Sequence, residues 1–175
     1  MVGKTSSDGR SSGPEPGRRR WGRAQGDRIL DPYKMTHKLH EPTVCQQCGA
    51  VYRHGRWQWG ERPEGADTTL CQACHRTNDH YPAGIVTLTG PLVASQQDEI
   101  TRLVRHQEQV EKPEHPLNRI MSLEQEAPDR LVVQTTDIHL PRRICEAMKR
   151  AYQGTLTDHF DEGGYFVRVT WTRPD

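Results

Sequence analysis

Four cysteines, spaced as Cys45-Gln-Gln-Cys48 and Cys71-Gln-Ala-Cys74, carry the clearest chemistry in this 175-residue chain. Two Cys-x-x-Cys pairs in one short stretch make a complete ligand set for a structural Zn²⁺ ion. Two intervening residues let one tight turn aim both thiolates at a single point, and Gly49 frees the backbone to bend away after Cys48. With four thiolates and no open position, such a site supplies folding energy and no Lewis acid. The same thiols have other readings. A disulfide framework needs an oxidising compartment, and no apolar run of the export type follows Met1. A thioredoxin-like redox centre needs only one pair, set after a hydrophobic strand. Cys71-Gln-Ala-Cys74-His75 spells the c-type haem attachment signature, which would leave the first pair without a role. A thiol or zinc redox sensor, releasing metal under mild oxidant, would use all four cysteines. In the zinc reading His75 is a solvated neighbour outside the ligand set.

No other constellation advertises catalysis. His139 beside Asp137, and His159, read as capping or surface histidines. The chain has no Gly-rich phosphate loop, nucleophile elbow or paired-carboxylate motif, so it is not expected to be an enzyme. Cys145, beside Ile144 and Met148, reads as a buried helix residue.

The elements that must position the cysteines are legible in the pattern around them. Residues 41–82 read as a zinc ribbon whose segment Val51-Tyr52-Arg53-His54-Gly55-Arg56-Trp57-Gln58-Trp59 turns at His54-Gly55. Trp57 and Trp59 are expected to cover the metal side or to dock on the next domain. Residues 83–114 read as a strand over 85–89, closed by Gly90-Pro91, and a connecting helix over 92–111. Ser95 and Asp98 form a predicted capping box there, with Asp98 pairing to Arg102 one turn on. Residues 115–173 read as strands over 119–125 and 130–136, a helix capped by Asp137 and ended by Gly154, and a hairpin of strands over 155–160 and 165–172. In the last strand Tyr165, Val167, Val169 and Trp171 alternate with Phe166, Arg168, Thr170 and Thr172, which gives it one core face. The expected fold is α+β: an N-terminal zinc ribbon followed by a small antiparallel ββαββ sheet-and-helix domain.

Hydrophobic residues make up only 33% of the chain and aromatic ones 6%, so its whole length cannot pack around one core. Residues 1–40 read as a disordered basic arm. They hold nine basic against four acidic residues, a net +5 in a chain whose formal charge is +1. Within them Arg18-Arg19-Arg20-Trp21 joins guanidinium forks to one stacking ring, a combination suited to phosphates and unpaired bases. Arg53 and Arg56 on the ribbon can reach phosphates as well. No apolar stretch approaches the length needed to span a bilayer, so no membrane partner is expected and a reducing cytoplasm is the expected location.

The run Thr135-Thr136-Asp137-Ile138-His139-Leu140, with Arg142-Arg143 and Glu146-Ala147, then Ala151-Tyr152-Gln153-Gly154 and Phe166-Val167-Arg168-Val169, resembles the region after the zinc domain in the Nmd-three family. Those proteins are adapters of the large ribosomal subunit, with more Cys-x-x-Cys pairs than the two present here. Asp31-Pro32-Tyr33, Thr43-Val44-Cys45, Gly55-Arg56-Trp57-Gln58-Trp59-Gly60, Tyr81-Pro82-Ala83-Gly84 and His115-Pro116-Leu117 look closer still to a family of small bacterial zinc-ribbon proteins. The likeness covers about residues 31–171. It implies metal binding at Cys45, Cys48, Cys71 and Cys74, and RNA or a ribosomal subunit as partner. The alternative expectation is a protein-interaction adapter that uses the sheet and the helix over 92–111.

Overall fold

The computed structural model describes residues 31–174, and within them the chain builds two mixed sheets and four helices, an α+β arrangement. In the first sheet β1 (Thr43–Cys45) pairs antiparallel with β2 (Val51–Arg53), β2 pairs with β3 (Arg56–Gln58), and β4 (Asp67–Thr69) lies parallel on the other edge of β1. The β2–β3 turn puts His54 and Gly55 at φ 52° and 74°, the left-handed pair that a two-residue hairpin turn requires. Glu41 anchors this turn, its carboxylate accepting from the backbone N–H groups of His54 at 2.7 Å and Gly55 at 3.0 Å. A short helix, α1 (Gln72–Asn78), comes after β4.

The second sheet is built from β5 (Gly84–Thr89), β6 (Ile120–Ala127), β7 (Arg130–Thr135), β8 (Thr155–Phe160) and β9 (Val167–Thr172), in the order β6-β7-β5-β9-β8. Its helices are α2 (Pro91–Ser95), α3 (Gln97–Glu111) and α4 (Leu140–Tyr152); α4 crosses β5 and β9, and α3 packs on α4. Val86, Leu88, Leu131, Val133, Val167, Val169 and Trp171 from the strands meet Val93, Ile100, Val104, Leu140, Ile144 and Met148 from the helices in one core. Among the described residues, no helix is long and apolar enough to cross a membrane.

The expected antiparallel ββαββ sheet is corrected in two respects. The sheet has five strands, and β5, expected as part of a connecting segment, occupies its centre between β7 and β9, running parallel to β9. Alternate residues of β5 are buried, and Gly84 fits where a Cβ would stand 2.3 Å from Pro141 Cγ. A strand this buried needs a neighbour on each edge, and its parallel neighbour lies more than 80 residues away in the chain, beyond the reach of local turn signals.

The connecting helix is also two helices, broken at Gln96 with φ −128° and ψ 35°. Ser95 Oγ donates back to Leu92 O at 3.2 Å, so the expected capping box with Asp98 does not form. Arg102 Nε donates to the Asp98 backbone carbonyl at 3.3 Å, where a carboxylate pair was expected. The N-cap position of α4 falls on His139, and Asp137, two residues earlier, serves the helix start: its Oδ2 accepts from the N–H of His139 at 2.7 Å and of Leu140 at 3.0 Å.

Cys145 is fully buried in α4, and burial, with Glu146 nearby, pushes its thiol up to about 12. A folded value above the unfolded 9.0 means that this group's stabilising contribution is complete below pH 9 and is lost as pH rises toward 12. Iodoacetamide at pH 9 is therefore expected to alkylate Cys145 in denatured protein and spare it in native protein, read by peptide mass spectrometry. Equal labelling of both states would contradict the burial.

Candidate metal centre

The two Cys-x-x-Cys pairs meet because two different local structures present them. In the first, Cys45 N–H donates to Ala50 O at 2.8 Å and Gly49 N–H donates to Cys45 O at 2.9 Å, folding a tight turn that Gly49 completes at φ 78°. In the second, Cys71 is the N-cap of α1 and Cys74 lies in its first turn, with Cys74 N–H on Cys71 Sγ at 3.5 Å. β1 and β4 run side by side, and Gln46 N–H donates to Thr69 O at 3.0 Å, so the two turns are held next to each other.

All four Sγ atoms lie within 4.8 Å of one another. The Cys45–Cys74 pair is 3.7 Å apart and the Cys48–Cys71 pair 3.8 Å. Sulfurs at about 2.3 Å from a tetrahedral Zn²⁺ stand about 3.8 Å apart, so these two edges fit the ion. All four thiols are free of disulfides; Cys45, Cys71 and Cys74 are buried and Cys48 is half-buried. Burial opposes ionisation of Cys45, but the N–H groups of Cys48, Cys71 and Gln47 outweigh it and bring that thiol down to about 6. At Cys71 and Cys74 burial wins and pushes both thiols up. His75 is exposed and stands outside the cluster.

Sequence reasoning missed Arg119, which reaches the cluster from just before β6. Its guanidinium donates to Cys48 Sγ at 3.1 Å and to Cys71 Sγ and Cys74 Sγ at 3.5 Å each. Burial would lower its pKa, but the sulfurs of Cys74, Cys71 and Cys48 outweigh that and hold it raised. Nothing local in the sequence marks this residue, since its sulfur partners lie 45 to 71 positions away. Its backbone is fixed to the end of β7: Arg119 N–H donates to Thr136 Oγ1 and Thr136 N–H to Arg119 O, both at 2.9 Å.

The two tryptophans divide the expected roles. Trp57 is buried against the cysteine turns, edge-on to Tyr52 with ring centroids 5.5 Å apart. Trp59 Nε1 donates to Lys112 O at 2.6 Å, joining the small sheet to the segment after α3. On the far side Arg76, 3% exposed, pairs with Asp31 at 2.6 Å and lies 4.5 Å from the Tyr33 ring centre, tying the chain before β1 onto α1. A cleft of about 640 Å³ between α1 and the loops that lead into α4 and β9 is bordered by Tyr33, Gln72, Arg76, Leu117, Asp137 and Tyr165.

Arg53 and Arg56 stand opposite each other across the β2–β3 hairpin, both exposed and neither belonging to the sulfur cluster. Arg18, Arg19, Arg20 and Trp21, with most of the expected basic arm, lie outside the described residues. Compared with known protein families, curated proteins and solved structures, the chain matches none.

Proposed function

We propose that Cys45, Cys48, Cys71 and Cys74 hold one structural Zn²⁺ in a zinc ribbon, and that the protein so stapled is a non-enzymatic module that contacts RNA. The observation that carries the metal reading is the sulfur spacing, with edges of 3.7 and 3.8 Å against about 3.8 Å around tetrahedral zinc. Four sulfurs fill the coordination sphere, which leaves the ion a scaffold role.

The RNA reading is supported by the hairpin tip. Arg53, His54 and Arg56 are all exposed there, and among the described residues neither arginine has a carboxylate partner. Unpaired guanidinium forks are free to take phosphate oxygens. The large ribosomal subunit is the RNA surface that the family resemblance points to.

Full-length protein titrated against purified large ribosomal subunits, from about 50 to about 200 mM salt, tests this reading. Binding is expected to weaken steeply with salt. Arg53→Glu combined with Arg56→Glu is expected to reduce the slope of log affinity against log salt by about 1.5, the share of two phosphate contacts. Binding that ignores salt, or no binding at low salt, would sink the RNA reading and favour a protein partner.

A further inference from the structure

A four-thiolate centre around a divalent cation carries a formal charge of −2, and here most of it is buried. Such a charge needs nearby donors and a counter-charge. The donors are present at every sulfur. Cys45 Sγ accepts from Cys71 N–H at 3.3 Å, Cys71 Sγ from Cys74 N–H, and the Arg119 guanidinium serves Cys48, Cys71 and Cys74. The only full positive charge among these donors is Arg119. Among the described residues no carboxylate lies within ion-pair distance of it, so the sulfurs are its counter-charge. Its shortest sulfur contact, 3.1 Å, falls on Cys48, the one cysteine of the four that solvent can reach.

Resting on the metal reading, we infer that Arg119 is the counter-charge of the metal–thiolate centre, shielding the accessible Cys48 sulfur so that the site behaves as an inert staple and not as a thiol switch. N–H···S bonds from a cation withdraw electron density from sulfur and occupy the lone pairs an electrophile would meet. Attack begins at the exposed ligand, and Arg119 covers that ligand. The Nε bond to Pro116 O at 2.6 Å holds the side chain in place.

The test uses the full chain loaded with Zn²⁺ and treated with iodoacetamide beside a chromophoric chelator. A sulfur forms the new S–C bond as the C–I bond breaks and iodide leaves; the resulting thioether is a poor ligand, and the metal passes to the chelator. Arg119→Gln is expected to release zinc roughly tenfold faster than wild type, and Arg119→Lys, which keeps the charge but loses the fork, at an intermediate rate. Trp59→Phe, which weakens docking without removing a donor from sulfur, is expected to release zinc at close to the wild-type rate. Equal rates for Arg119→Gln and wild type overturn the inference, as does a Trp59→Phe rate matching Arg119→Gln. If Arg119→Gln does not fold, Arg119→Met, which removes the charge and every donor but keeps a side chain of similar length, decides, and a wild-type rate from it overturns the inference. Failure of the metal reading looks different: wild-type protein then takes up less than one equivalent of Co²⁺ and shows no thiolate-to-metal charge-transfer band.

Discussion

Replacement of Cys71 by serine is expected to unfold the four-stranded sheet while the five-stranded sheet stays folded. The reasons lie in what each half has to lose. Around the cysteine turns the buried cluster is Cys45, Ala50, Tyr52, Trp57, Cys71, Ala73 and Cys74, and every strand is three residues long. So small a core cannot offset the ordering entropy of its chain without a staple. On the proposed zinc reading the ion is that staple, structural zinc contributing about 10–16 kcal/mol in small metal modules. Cys71 is 0% exposed and is also the N-cap of α1, so its loss removes one of the four clustered thiols and frees the helix start together. The second sheet has its own core, from Val86 through Trp171, and contains none of the four clustered cysteines. Hydrogen exchange read by mass spectrometry is the measurement: residues 43–78 should lose protection, whereas residues 84–89, 131–135 and 167–172 should keep it. A strong chelator acting on wild-type protein should give the same pattern. Loss of protection throughout would mean that the two sheets fold as one cooperative unit, joined through Arg119 and Trp59.

Trp171→Ala is expected to be the most damaging single change in the second half. Trp171 is 0% exposed on β9, inside the core, and its Nε1 donates to Gln153 O at 2.7 Å, fastening the end of α4 to the sheet. Gly154, at φ 91°, lets the chain pass so close that a Cβ there would come within 2.9 Å of the indole ring. Truncating a buried tryptophan to alanine costs about 3–5 kcal/mol, a large part of the about 5–15 kcal/mol that holds a domain folded. In urea, monitored by circular dichroism, the midpoint should fall by about 2 M. A midpoint within a few tenths molar of wild type would show that neighbouring side chains close the cavity.

What the sequence made legible was whatever a local rule controls. His54-Gly55 announced its turn because few residue pairs accept positive φ in succession, and Val167, Val169 and Trp171 announced a buried face by alternation. The cysteine spacing announced a cluster, and the four sulfurs do lie together. Four things had no local signature. Asp67-Thr68-Thr69 is polar and short and carries no strand pattern, yet its parallel pairing with β1 sets the two cysteine turns side by side. The second Cys-x-x-Cys pair looked like a bare turn and is the start of α1. Pairing of β5 with β9 is a tertiary choice, made because Val86 and Leu88 must be covered on both sides, and periodicity within one strand cannot name its partner. Arg119 belongs to the same class, since its role depends on sulfurs brought to it by the fold.

The strand order sets a timetable for the chain as it is made. The cysteine turns are complete once Asn78 has emerged, whereas the centre of the second sheet waits for Val167–Thr172 to close the edge of β5. At about 5–20 residues per second, that edge stays open for several seconds with Val86 and Leu88 already translated. Arg119 appears within the same interval, so the cluster gathers first, is covered second, and only then acquires a finished neighbour to lean on.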